Sequence, residues 1–364
     1  VGDLQRGCAS AALNQENAGV YLNYIILAHK APQQVARLVR RLEQPAARFF
    51  IHVDKKADFA AFKRALDGLS FVMLLENRVE CAWADFSIVE ATNRCIDAVL
   101  RAGNRGPVIL MSGQDYPLRS NSEILQFFAD RPGRSFIEMK AITKKDTGFF
   151  AGHHERLDLY RFNLSSERHD FVLLPPLFSR YFWRGQGALH IIKGFLRNSA
   201  NRRYLLSATF RREIAIIRKP RVQPIPMEHY GGQQWWALDW ATLASVRAFL
   251  LAHPELDAFH MHTQVPDELY YHSTLMHLAK TTPSLVLAPQ VTYANWHRKD
   301  ARPAIFTSSD ADKAELASSA SNYLFARKFD AMRDAAILDW LDARALSPAI
   351  DVRDVGTLRG NERS

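Results

Sequence analysis

A chain of 364 residues, 48% hydrophobic and 23% charged, has the composition of an ordinary globular protein and excludes a low-complexity or highly charged disordered polymer. Its three cysteines, Cys8, Cys81 and Cys95, make no disulfide framework and fit no zinc spacing, so a reducing compartment is the simpler expectation and a Cys81–Cys95 pair the alternative. The net charge of +9 is concentrated: residues 175–222 hold eleven Lys and Arg against one acid, Glu213, which leaves the remainder close to neutral.

In chain order, residues 1–19 are polar and weakly patterned and read as a disordered lead-in. One domain is expected over 20–342, followed by a C-terminal tail over 343–364. Residues 21–28 (YLNYIILA) form an apolar, β-rich run, and 32–43 place Val35, Leu38 and Leu42 on one helical face. Strand 49–53, helix 58–66, strand 72–75, helix 86–100 and strand 108–111 follow. Ser120 and Glu123 have capping-box spacing and open a helix to Phe128; 135–139 is a further strand. This β-α-β-α order predicts an α/β fold, a mostly parallel sheet flanked by helices, with ligands beyond the carboxyl ends of its strands. Neither a GxGxxG nor a P-loop glycine pattern is present.

From about 143 to 225 the periodicity weakens, and a basic helical insert is expected at about 169–225, with Phe178, Tyr181, Phe182 and Trp183 beside arginines. Such a segment attracts polyanions. With no nucleic-acid reader motif beside it, an acidic glycan or anionic lipid is the expected partner, and not nucleic acid. The sequence shows no secretory h-region and no apolar run of membrane-spanning length, so the expectation is a cytoplasmic protein with peripheral contact on the inner face of a membrane.

Two motifs carry the chemistry. In QVPDELYYHSTLMH, Asp267 and Glu268 open an aromatic-rich helix; they suit a helix N-terminus, and Glu268 also suits a general base. In LFARKFD, Arg327 and Lys328 lie between Phe325 and Phe329, in a segment expected to pack, where two cations suit a diphosphate. A base and a diphosphate clamp are what a sugar-nucleotide transferase without a metal requires. Asp54 follows a strand and either caps the turn or contacts a nucleoside. Asp115, in SGQDYP, stands where an Asp-x-Asp metal pair would be expected, but the residues are Gly-Gln-Asp. Asp310-Ala311-Asp312 reads as helix-capping acids, and His153-His154-Glu155 is too tightly spaced for metal ligation. Of Trp235 and Trp236, one is expected in the core and the other on an acceptor sugar.

The ordered motifs HVDKK, NRVECAWADFSIVEA, SGQDYPL, SFIE, GGQQWWAL, VPDELYYHS, ANW and LFARKFD resemble those of the core-2/I-branching N-acetylglucosaminyltransferases and their relatives, the peptide O-xylosyltransferases and plant glucuronosyltransferases. The resemblance runs from about 21 to 342. It implies a GT-A fold of Rossmann type, a UDP-sugar co-substrate, inversion at the anomeric carbon, no divalent metal and no other cofactor. It implies Glu268 as catalytic base and Arg327 and Lys328 as diphosphate ligands. Asp54 and Trp83 fall in donor-pocket segments, Asp115 joins them as a donor-side residue, and Glu138 and Arg156 fall where acceptor sugar binds. The animal enzymes add an arginine upstream of the lysine motif; here that region, HRKDARPAIF, holds Arg298 and Arg302. They also carry a membrane stalk and many cysteines, so this chain is more similar to a bacterial member. The expected reaction is transfer of GlcNAc or xylose to a glycan or lipid-linked acceptor. The alternative is a transferase-like scaffold that binds sugar or nucleotide without catalysis.

Overall fold

A computed structural model describes residues 21–143, 154–163, 165, 170–179, 215–298 and 303–346. The expected lead-in, most of the basic insert, His153, Arg302 and the end of the tail lie outside the described residues.

The N-terminal half is a run of crossover units: β1 (Leu22–Ala28), α1 (Pro32–Leu42), β2 (Ala47–Val53), α2 (Phe59–Leu66), β3 (Val72–Leu74), α3 (Phe86–Ala102) and β4 (Val108–Ser112). These elements follow the sequence pattern within a residue or two. Asp58 caps α2, Asp85 caps α3, and Ser120 with Glu123 forms the expected capping box of α4. After β5 (Asp115–Pro117) and α4 (Asn121–Ala129) come β6 (Arg134–Phe136), β7 (Lys140–Ala141), a π-helical turn (His154–Asp158), β8 (Tyr160–Asn163), β9 (Phe171–Leu174), β10 (Tyr230–Gly231) and β11 (Ala237–Leu238). The chain continues through α5 (Trp240–Ala252), α6 (Pro254–His260), a 3-10 turn (Pro266–Glu268), α7 (Tyr270–Ala279), β12 (Val286–Ala288), β13 (Thr292–Ala294), α8 (Asp310–Ser319), β14 (Phe325–Arg327) and α9 (Ala336–Leu346).

The main sheet has the order β12-β6-β11-β4-β1-β2-β3, parallel except for β11, which runs antiparallel between β4 and β6. β1 is covered on both faces, the expected state of a central parallel strand. Tyr24 and Ile26 point into one apolar layer with Phe49, Ile51 and Met111; Ile25 points into the other with Phe50, Leu110 and Val99. The period of two thus sorts one strand's side chains between two cores. A smaller sheet, β13-β14-β5, packs on the first of these layers, where Phe325 meets the Tyr24 ring edge-on with centroids 6.4 Å apart.

The described part of 143–225 contains an antiparallel β8–β9 ladder, Tyr160↔Leu174 through Asn163↔Phe171, which the fading periodicity did not announce. α9 runs through position 342, the boundary expected from sequence, because Arg37 and Arg41 of α1 hold Asp342, and Tyr116 donates to it at 2.7 Å. Among the described residues no helix is long and apolar enough to cross a membrane.

Candidate active site

Register fixes the geometry at the strand ends. Ala28 of β1 lies beside Val53 of β2, and Leu27 beside Ser112 of β4, so three strands end together. Asp54 follows β2. Its N–H donates to the Ala28 carbonyl at 2.8 Å, and its carboxylate accepts from the Lys56 N–H at 2.9 Å. One oxygen of Asp54 therefore closes the turn. His29, beyond β1, has its pKa lowered first by burial and then by Lys30 and Lys328, with Asp54 opposing. Three separate chain segments thus bring His29, Lys30, Asp54, Lys56 and Lys328 into one neighbourhood.

β5 pairs antiparallel with β14, which sets Asp115 directly opposite Arg327. Arg327 Nε lies 3.6 Å from Asp115 Oδ1, and its guanidinium lies over the Trp235 ring at 3.8 Å. Asp115 is buried; it accepts from the Ser112 N–H at 2.7 Å and the Ser112 hydroxyl at 3.1 Å. Burial raises its pKa, against Arg327 and Ser112. Burial lowers that of Arg327, against Asp115. Arg327 Nη1 is buried and has no hydrogen-bond partner. In this arrangement Asp115 holds Arg327 and is itself closed to solvent.

Two glutamines fix the loop after β14, and sequence reasoning did not single them out. Gln34 of α1 donates to the carbonyls of Gly113 (2.8 Å) and Phe329 (3.2 Å) and accepts from the Ala331 N–H (2.7 Å). Gln114 donates to the Phe329 carbonyl at 3.3 Å, and Lys30 pairs with Asp330 at 2.7 Å. The signal available for Gln34 was a polar residue on the buried face of an amphipathic helix.

The surroundings of Glu268 are built around two glycines. Gly232 N–H donates to the Glu268 carbonyl at 3.2 Å, and the next N–H, of Gln233, donates to the Glu138 carboxylate at 2.9 Å. A Cβ at Gly232 would lie 2.3 Å from the Glu138 carbonyl oxygen, and one at Gly231 would lie 3.0 Å from that of Glu268. Only glycine lets this strand pass so close to both acids. Arg156, from the π-helical turn, places Nη2 2.9 Å from Glu268 Oε2. The Glu268 pKa is raised, first by burial and further by Glu138, with Arg156 opposing. Asp267 is more deeply buried. Its pKa is also raised, by burial and by Glu268, and its Oδ1 has no hydrogen-bond partner. The structure therefore brings Glu268, Glu138 and Arg156 together.

Trp83 is 39% exposed, just before the α3 cap, and its carbonyl accepts from Arg161 Nη2 at 2.8 Å. Of the tryptophan pair one is in the core, as expected, and the other is 9% exposed and covered by a cation. Trp236 is in the core against Tyr271, and Trp235 carries the Arg327 guanidinium. Asp312 accepts from the Thr307 N–H (2.6 Å) and hydroxyl (2.8 Å) and pairs with Arg298 at 2.6 Å, as befits a structural acid. Among the described residues, no three His, Cys, Asp or Glu side chains converge as a metal site would require. The thiols of Cys81 and Cys95 are free.

The family model described as Core-2/I-Branching enzyme matches residues 22–319. A mouse protein named beta-1,3-galactosyl-O-glycosyl-glycoprotein beta-1,6-N-acetylglucosaminyltransferase 4 is 26% identical over 168 residues, 45% of this chain and 35% of the relative. A human N-acetyllactosaminide beta-1,6-N-acetylglucosaminyl-transferase is 30% identical over 127 residues, 34% of this chain and 32% of the relative. The Drosophila xylosyltransferase oxt is 25% identical over 135 residues, 36% of this chain and 15% of the relative. The matched stretches thus span about a third or less of each of these curated relatives. The fold is GT-A-like, and the chain belongs to the core-2/I-branching enzyme family, whose relatives here are glycosyltransferases.

Proposed function

We propose that this member of the core-2/I-branching family is an inverting glycosyltransferase. It moves GlcNAc or xylose from a UDP-sugar to a hydroxyl of a glycan or lipid-linked acceptor, without a divalent metal. The choice of sugars follows the names of the relatives. The acceptor hydroxyl donates a hydrogen bond to Glu268 and attacks the anomeric carbon from the face opposite UDP. The new C–O bond forms as the bond to the diphosphate breaks, and Glu268 takes the proton. Arg327 and Lys328 stabilise the charge that develops on the leaving diphosphate, the task of a metal ion elsewhere.

The observation that carries this reading is Glu268 itself. Its side chain is 13% exposed, ion-paired with Arg156 and close to Glu138, and its pKa is raised by burial. A carboxylate so placed is a stronger base than an ordinary surface glutamate. Arg327, buried with Nη1 unsatisfied, supports the donor half, since a phosphate oxygen would supply the missing acceptor.

The test is a thermal-shift and hydrolysis screen against UDP, UDP-GlcNAc, UDP-xylose, UDP-glucuronic acid and UDP-glucose in EDTA. Stabilisation by UDP with turnover of one sugar nucleotide is expected. Activity abolished by EDTA and restored by manganese would refute the metal-free mechanism. In the same proposal, the basic stretch 175–222 meets anionic lipid or an acidic acceptor. At its described ends Phe178 is 75% and Val222 68% exposed, and Val222 lies close to Arg218 and Lys219 in sequence. Vesicle flotation should then require anionic lipid; flotation that ignores lipid charge tells against this contact.

A further inference from the structure

Two residues in left-handed backbone conformation face each other across one hydrogen bond at the edge of the site. Val265 has φ 54° and ψ 57°, and Ala84 has φ 58°. The Val265 N–H donates to the Ala84 carbonyl at 3.1 Å. For a β-branched residue this region is a genuine outlier. Val265 directly precedes the turn Pro266–Glu268, and Ala84 directly follows Trp83.

A third residue ties the same two turns. Arg161 of β8 is 4% exposed and donates from Nη2 to the Trp83 carbonyl at 2.8 Å. Its main chain pairs with the loop that leads into the 3-10 turn: its N–H donates to the His262 carbonyl at 2.9 Å, and His262 Nδ1 lies 3.2 Å from the Arg161 carbonyl. The guanidinium lies over the Phe171 ring at 4.5 Å, and its charge acts on Asp267. Nε and Nη1 have no hydrogen-bond partner, so the bond to Trp83 is what orients a buried cation.

Backbone strain persists only where the surroundings over-determine it, and it concentrates where geometry matters. We infer that Ala84, Val265 and Arg161 form a clasp that fixes the spacing between the Trp83 turn and the Asp267–Glu268 turn, with Arg161 as a positioning residue. This rests on the reading of Trp83 as donor-side and Glu268 as base. In-line displacement needs the acceptor oxygen, held by the base, and the donor's anomeric carbon at a set separation, and the clasp joins the elements that hold them.

Two variants test it. Val265→Gly keeps the N–H and makes the left-handed conformation unstrained. Arg161→Met keeps much of the stem and removes the bond to Trp83. We expect Val265→Gly to melt no lower than wild type, yet to lose about 10²-fold in kcat, the order of loss for a 1 Å misplacement. Amide exchange over 82–85 should rise at least about tenfold in Val265→Gly, and exchange over 264–269 likewise in Arg161→Met, each across the clasp from the change. Arg161→Lys, which still donates, should restore part of kcat. Wild-type kcat in Val265→Gly, or faster exchange in Arg161→Met confined to 160–163 and 171–174, overturns the clasp. A wild-type chain that turns over no UDP-sugar would count against the functional reading alone; the exchange results would still decide the clasp.

Discussion

Replacing Asp115 by Asn keeps the side-chain shape and an acceptor oxygen for Ser112 but removes the negative charge opposite Arg327. The two groups are 3.6 Å apart, with side-chain exposures of 0% and 9%, so solvent screening is slight. At that separation an effective dielectric near 20 gives a Coulomb attraction of about 4–5 kcal/mol. Both charges pay desolvation, visible in the raised Asp115 and lowered Arg327 pKa, so the pair itself adds little net stability. Breaking it is another matter, because Arg327 is left as an uncompensated buried cation, at a cost of about 3–5 kcal/mol. For a domain of this size the melting temperature should fall by on the order of 10 °C. The assay is thermal and urea unfolding of Asp115→Asn, Arg327→Met and the double variant. The double variant should recover most of the loss, since it buries no lone charge. A loss under about 1 kcal/mol in Asp115→Asn, or a double variant as unstable as the single, would refute the reasoning.

Glu268→Gln should lose about 10²–10⁴-fold in kcat while UDP affinity, measured by calorimetry, stays within about twofold. The base works deprotonated, so kcat/KM should fall as pH drops through the Glu268 pKa, and burial places that limb above the ordinary glutamate value of about 4.3. Arg156 holds the pKa down; Arg156→Met should therefore shift the acidic limb to higher pH, and an unmoved limb counts against the ion pair as a determinant of basicity. Gly232→Ala drives a methyl group into the backbone carbonyl of Glu138, which is not a flexible side-chain end, so a loss of about 1–3 kcal/mol or more is expected in unfolding; wild-type stability would show that the strand can yield.

Much of the frame was legible from local pattern. Apolar runs separated by amphipathic helices named the crossover units, and Ser120 with Glu123 named a helix start, because burial and capping act over a few residues. The charge excess of 175–222 was equally plain. Short strands held by distant partners left no such mark: β14 has three residues, and β11, with two, lies between β4 and β6.

The residue types of the site were readable from its motifs, but their arrangement was not. Arg156 meets Glu268 across 112 positions, and Asp115 meets Arg327 only because β5 pairs with β14. Trp235 and Trp236 are identical in sequence terms, yet one carries a cation and the other fills the core. The sequence by itself determined the N-terminal crossover units, the capped helix starts and which chemistry is available, since propensity, periodicity and capping are local. The tertiary structure alone decided which acid gains the arginine and which cation is left unsatisfied, since charge and hydrogen-bond energies depend on spatial separation and burial that neighbours along the chain do not fix.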